Sequence, residues 1–234
     1  MSVIPLVVGD TVATTEAQFD SAGGRQGNTL LIRNFDNAQL VGNAPNLSYE
    51  LRVGPEYKDH RDGSKWPVTD DEPITLLPGA AVIIETAEDL HMPKGMFGYI
   101  VPKVKWLQEG VSNTLSKVDA GYNGSLLVTL FNLGKNKVKL HLHEPFCSLV
   151  IHDVGAGVHL YEKPAKRLVG PNRRRSPWQK FRNWLEANPA TVHVALIAAT
   201  IILTAATIKL AVVEIHMSHI LQQAPVSEPP TNRK

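Results

Sequence analysis

A single cysteine, Cys147, excludes a disulfide framework, and aromatic residues make up only 6% of the 234 residues. Acidic residues nearly vanish toward the carboxyl end. Up to Glu162 there are 13 Lys and Arg against 19 Asp and Glu, whereas from Lys163 onward there are 11 against 3. A net charge of +2 therefore hides an acidic first part and a strongly basic second part. Asn188 to Ile208 contains no Asp, Glu, Lys or Arg. A sustained helical period is missing between Thr29 and about Asp153. Met1 to Gly9 has no positive flank and no small-residue cleavage site, so no secretory signal is read and the amino end is expected in the cytosol.

What is present from Thr29 to Asp153 is a series of short apolar runs separated by Pro-Gly, Asp-Gly, Asn-Gly and Lys-Gly turn signals. The runs are 29–33, 47–53, 74–77, 81–85, 98–101, 126–132, 137–143 and 146–152. They predict an all-β domain of sandwich or barrel type, of the jelly-roll kind. In Lys137-Val-Lys-Leu-His-Leu-His143 the apolar residues alternate with Lys and His, which predicts a half-buried strand. The pair His141 and His143 has the spacing of two metal ligands, but a solvated face explains the polar row more simply. Cys147 reads as a small buried apolar residue.

Pro189 to Ile208 is apolar on all sides of a helix and has the length needed to cross a hydrocarbon core of about 30 Å. It predicts a membrane span within 188–213, followed by a short polar tail, 214–234. Trp178, Phe181, Trp184 and Leu185 share a helical face just before it, predicting an interfacial helix within a basic linker, 163–187. Eight Lys and Arg precede the span, from Lys163 to Arg182, against three after it. The positive-inside tendency then keeps the β-domain, 1–162, on the cytosolic side, anchored at its carboxyl end in a lipid bilayer. Adjacency to a span explains the basic residues without a nucleic-acid partner, and none is predicted.

Several segments, in order, resemble one superfamily, the dCTP deaminases and dUTPases. They are Phe35-Asp-Asn-Ala-Gln-Leu40, Ser48-Tyr-Glu-Leu-Arg-Val-Gly54, Leu77-Pro-Gly79, Glu85-Thr-Ala-Glu88, Met92-Pro-Lys-Gly-Met-Phe-Gly98 and Val118-Asp-Ala-Gly-Tyr-Asn-Gly124. The last, with the strand Leu126 to Asn132, closely resembles the family's nucleoside-binding hairpin. The resemblance implies a distorted jelly roll assembled as a homotrimer. It also implies deoxynucleoside triphosphate sites between subunits, with Mg²⁺ held mainly through the phosphates.

Residue by residue, the resemblance makes Asp119 the carboxylate that orients the attacking water, a chemically suitable general base. Tyr122 becomes the platform beneath the deoxyribose, and Gly121 and Gly124 allow backbone approach to the base. The phosphate segment, Pro102-Lys-Val-Lys-Trp-Leu-Gln-Glu-Gly110, lacks the family's Ser and Arg. Lys103, Lys105 and Gln108 then become the phosphate-side groups, the lysines as point charges without a bidentate fork. Gly110 to Asp119 is about two residues shorter than the deaminase pattern. Thr129 stands where the deaminases carry their essential Glu, and a hydroxyl cannot shuttle protons at neutral pH. His143-Glu-Pro-Phe-Cys-Ser-Leu149 has Ser148 in place of the later dUTPase motif's Gln. Two functions follow as expectations: a membrane-anchored nucleotide hydrolase of the dUTP pyrophosphatase type, or a catalytically degenerate trimeric sensor or scaffold.

Overall fold

The computed structural model describes residues 2–40, 46–60, 63–155, 158–168 and 176–223. They divide into two compact units, Met1–Ser176 and Pro177–Lys234. The Arg173-Arg-Arg175 cluster and the tail beyond Gln223 lie outside the described residues.

The first unit is mostly β. Its strands are β1 (Val12–Ala13), β2 (Leu30–Arg33), β3 (Tyr49–Asp59), β4 (Lys65–Pro67), β5 (Ile74–Leu76) and β6 (Ala81–His91), followed by β7 (Met96–Pro102), β8 (Val111–Asn113), β9 (Ser116–Val118), β10 (Asn123–Asn132), β11 (Val138–Leu140) and β12 (Pro145–Asp153). Two short helices interrupt them, α1 (Glu16–Ser21) and α2 (Val104–Gln108). The main sheet runs β1-β2-β6-β3-β12-β7-β9, with β4 on β3, and with β10 on β6 carrying β8. β5 and β11 pair separately.

Two long strands shape the sheet by changing partners along their length. The first half of β3 pairs with β12, Leu51 opposite Cys147, and its second half pairs with β6, Tyr57 opposite Ile84. The change falls at Gly54, where a Cβ would run into the carbonyl oxygens of Glu85 and Thr86. Glycine lets the two backbones approach and the strand bend. Inward residues alternate along these strands, and Tyr49, Leu51, Val53, Ile84, Val128 and Leu130 are fully buried in one continuous core. The predicted Pro-Gly turn forms as Leu77 to Ala80, closed by the Ala80 N–H on the Leu77 carbonyl at 3.0 Å with Gly79 at φ +74°. That is a type II turn, which demands glycine at its third position.

Three expectations need correction. The strand read over 137–143 ends at Leu140, because the chain turns there and His143 adopts φ +60°. His141 and His143 therefore do not stand side by side on a strand. The phosphate segment, read without any helix, contains α2, whose five residues are too few to show a period; its buried Trp106 donates Nε1 to the Pro145 carbonyl at 3.2 Å. The strands read at 81–85 and 47–53 extend to His91 and Asp59, since polar residues there are held by hydrogen bonds instead of by apolar alternation.

The second unit holds α3 (Pro177–Ala187) and α4 (Pro189–Gln223). On α3 the rings of Trp178 and Phe181 lie 5.8 Å apart and those of Phe181 and Trp184 6.3 Å apart, so the apolar face read from the sequence is a continuous aromatic ridge. α4 continues past the expected 213 to Gln223. Its portion Pro189–Met217 is long and apolar enough to cross a membrane, with mean hydropathy 2.3 and no residue of its most apolar stretch buried. At 1.5 Å per residue that portion measures about 44 Å, more than the hydrocarbon core requires.

Candidate functional site

The segment Val118 to Gly124 forms a tight connection between β9 and β10. The Tyr122 N–H closes it on the Asp119 carbonyl at 3.1 Å, and Gly121 sits at φ +80° in the third position of a type II turn. Met92 pins the turn from the end of β6: its N–H donates to the Tyr122 carbonyl at 2.8 Å, and its carbonyl accepts from Gly121 N–H at 3.1 Å. The expected hairpin is thus a rigid corner between strands that pair elsewhere, β9 with β7 and β10 with β6 and β8.

Asp119 lies at the open end of this corner with its side chain 40% exposed, and Lys117 Nζ approaches Oδ1 at 2.8 Å. That hydrogen bond and charge hold the Lys117 ammonium above its ordinary value. Tyr122 is mostly buried, and its hydroxyl donates to the Ser125 carbonyl. Burial, reinforced by Tyr161, Asp89 and Glu85, pushes its phenol up to about 12, so it stays neutral.

Beneath the hairpin Glu85 is nearly buried and takes Ser125 Oγ on one oxygen at 2.6 Å and the Leu168 N–H on the other at 2.9 Å. Leu160, Tyr161 and Ala165 lie against the hairpin. The Tyr161 N–H donates to the Ala120 carbonyl at 2.8 Å, and its ring centroid is 5.4 Å from that of Tyr122. Arg25 donates from Nη2 to the Tyr161 carbonyl at 3.0 Å. None of these neighbours was found from the sequence. Arg25 precedes the first clear strand, and 158–168 follows neither a strand nor a helix period, so no pattern signals them.

The phosphate-side residues lie elsewhere in the same chain. Lys103 caps the start of α2, and its Nζ is ion-paired with Glu50 at 2.5 Å. Lys105 Nζ sits 4.8 Å from the Trp106 ring centroid, and Gln108 is exposed at the end of α2. Val118 pairs with Gly98, so Asp119 comes level with Phe97 near one end of β7 while Lys103 follows the other end. At about 3.3 Å per strand residue the two are separated by roughly 20 Å. The chain brings Asp119, Gly121, Tyr122 and Gly124 together, and does not bring Lys103, Lys105 and Gln108 to them.

Thr129 is half-buried on β10 opposite Ile83, and no carboxylate stands at that position. No group of three His, Cys, Asp or Glu side chains suited to a metal occurs among the described residues. The described residues therefore offer no cage of such side chains for Mg²⁺.

The first unit is thus a β-domain with a backbone-pinned, glycine-containing corner and a carboxylate at its rim. The profile of the family described as dCTP deaminase-like matches residues 22–154, and the chain belongs to that family. It is 28% identical over 123 residues to a dCTP deaminase of Thermococcus sibiricus, covering 53% of this chain and 75% of that protein. It is 30% identical over 78 residues to the deoxyuridine 5′-triphosphate nucleotidohydrolase of Escherichia phage T5, covering 32% and 53%. Among solved structures, a 2′-deoxycytidine 5′-triphosphate deaminase from Agrobacterium tumefaciens superposes with a TM-score of 0.44 at 16% identity, over 52% of this chain and 41% of that one. The native EIAV dUTPase superposes with a TM-score of 0.34 at 20% identity, over 53% and 98%.

Proposed function

We propose that the β-domain binds a deoxynucleoside triphosphate at the 118–124 hairpin and hydrolyses it in the manner of a dUTP pyrophosphatase. The observation that carries this reading is the hairpin: a pinned type II corner, Asp119 at its open rim and Tyr122 neutral beneath it. Asp119 accepts a proton from water as the water oxygen bonds to the α-phosphorus. The bond from that phosphorus to the bridging oxygen breaks, and pyrophosphate leaves. Mg²⁺, when carried in on the phosphates, supplies charge neutralisation. Deamination is disfavoured because Thr129 provides no proton shuttle.

The separation of roughly 20 Å between Asp119 and Lys103 favours a site shared between protomers, with α2 of one copy facing the hairpin of the next. A homotrimer of distorted jelly rolls satisfies this. The apolar length of α4 and the aromatic ridge of α3 support a carboxyl-terminal membrane anchor, and the eight Lys and Arg before the span against three after it put the β-domain on the cytosolic side. In this organisation 1–162 form the nucleotide domain, 163–187 the basic linker and interfacial helix, 188–213 the span and 214–234 the polar tail.

The second reading is a nucleotide sensor or scaffold without turnover. It is favoured by the pairing of Lys103 with Glu50, which removes an expected phosphate ligand within the chain. Incubating the full chain with Mg²⁺ and each deoxynucleoside triphosphate, with all products resolved, separates the two. Release of dUMP and pyrophosphate from dUTP, lost in Asp119→Asn, supports hydrolysis. Binding without any product supports the sensor, and dUTP appearing from dCTP would overturn the reading of Thr129.

A further inference from the structure

We propose that residues 158–168 form a strap that occupies the hairpin in cis, so that a nucleotide reaches Gly121 and Tyr122 only by displacing it. The inference rests on the nucleotide reading of the hairpin given above and adds a built-in competitor to it.

The strap is attached at successive points along the hairpin side. A Cβ on Gly121 would come within 3.1 Å of the Leu160 Cβ and 3.2 Å of its Cδ2, with Arg25 Nη2 nearer still at 2.9 Å. Ala165 fills the corresponding space over Gly124. Between them Tyr161 gives its N–H to the Ala120 carbonyl at 2.8 Å and lays its ring beside Tyr122, while Arg25 holds the Tyr161 carbonyl at 3.0 Å. Farther on, Arg167 pairs with Asp89 at 3.0 Å, and Leu168 is buried with its N–H on Glu85 at 2.9 Å.

These contacts are of the kinds that a nucleoside would make there. A donor meets a hairpin carbonyl, a flat ring lies against Tyr122, and apolar atoms fill the depressions that the two glycines leave. A base and a strap cannot both take the Ala120 carbonyl and the surface over Gly121. The strap is also displaceable: it forms no strand or helix of its own, and the Arg167 side chain that helps hold it is 53% exposed.

Position in the chain gives the competition a consequence. The strap overlaps the start of the basic linker at Lys163, and α3 and α4 come next along the chain. Freeing 158–168 adds, at full extension, on the order of 35 Å to the reach between the hairpin and those helices. Nucleotide occupancy thereby sets the length of the tether.

The test uses the full chain in detergent micelles with dUTP and Mg²⁺ as probe. Affinity is measured by calorimetry for the unaltered chain, for Leu160→Ser with Tyr161→Ser, and for Arg25→Gln, with hydrogen exchange followed over 158–168. If the strap is docked in about nine molecules in ten, its release tightens binding about ten-fold. Arg25→Gln moves affinity in the same direction by less, and dUTP accelerates exchange in 158–168 of the unaltered chain. Unchanged exchange in β6 and β10 verifies that the variants are folded; should the double variant not fold, Arg25→Gln carries the test. Equal affinities in all three chains, or dUTP slowing exchange over 158–168, would overturn the strap and leave the nucleotide reading standing. No binding to any of the three chains would remove both.

Discussion

Arg52 donates from Nε to Oε1 of Glu88 at 2.6 Å, joining a strand that changes partners to a carboxylate with no exposed surface. Glu88 also accepts the Arg52 N–H at 2.9 Å and the Tyr49 hydroxyl at 3.2 Å, while Arg52 Nη2 reaches the Asn34 carbonyl. Each carboxylate oxygen is thus occupied, and the bend of β3 over β6 is tied from within. Removing one partner of such a pair leaves a buried charge uncompensated, so Arg52→Ala should cost about 3–5 kcal/mol of stability. Chemical denaturation checks it, and a loss below 1 kcal/mol would show that the network does not hold the fold.

Gly124 adopts φ +139° with Ala165 against it. Gly124→Ala places an L side chain in a region occupied essentially by glycine, at about 1–3 kcal/mol, and pushes against Ala165 as well. The expected outcome is a lower unfolding midpoint together with faster tryptic cleavage at Lys166 and Arg167. A midpoint and cleavage rate equal to those of the unaltered chain would contradict the packing described.

His91 stacks beside Phe19 at 4.6 Å, and its Nδ1 is buried without a hydrogen-bond partner. Burial first, then the positive charges of Arg33 and Arg25, lower its imidazole below 6.5, against Glu16 and Asp20, which raise it. Below pH 6.5 the unfolded chain therefore takes up a proton that the folded chain does not. Its contribution to stability is intact above pH 6.5 and declines as pH falls toward the lowered folded value. Urea midpoints at pH 7.5 and 5.5 should differ more for the unaltered chain than for His91→Phe.

Cys147 is fully buried in β12 opposite Leu51, and burial pushes its thiol well above the ordinary value, with Glu88 adding to the shift and Lys103 opposing it. A maleimide should label it only as fast as the protein unfolds. Cys147→Ser should cost about 1–3 kcal/mol by burying a hydroxyl in an apolar site. Rapid labelling under native conditions would contradict the core placement.

The sequence was most legible where one physical signal acted alone. The apolar run 126–132 located β10, Pro78-Gly79 located a turn, and the charge-free run from Asn188 located α4. The 118–124 segment was legible through its resemblance to a family motif, and Gly121 and Gly124 there do adopt positive φ. Long-range polar contacts were not legible. Glu88 sits on the same strand as Glu85, yet one anchors Arg52 and the other holds Leu168, a difference set wholly by tertiary neighbours. The same holds for Arg25 on Tyr161, and for Lys103, whose ion pair with Glu50 joins strands distant in sequence.

The central claim, that the 118–124 hairpin takes a deoxynucleoside triphosphate, is tested most directly by equilibrium binding of dUTP with Mg²⁺ to the full chain and to Tyr122→Ala. Removing the aromatic platform should weaken binding at least about ten-fold, the equivalent of about 1.4 kcal/mol. Unchanged affinity in Tyr122→Ala, with the fold intact, would contradict the assignment of this hairpin as the site.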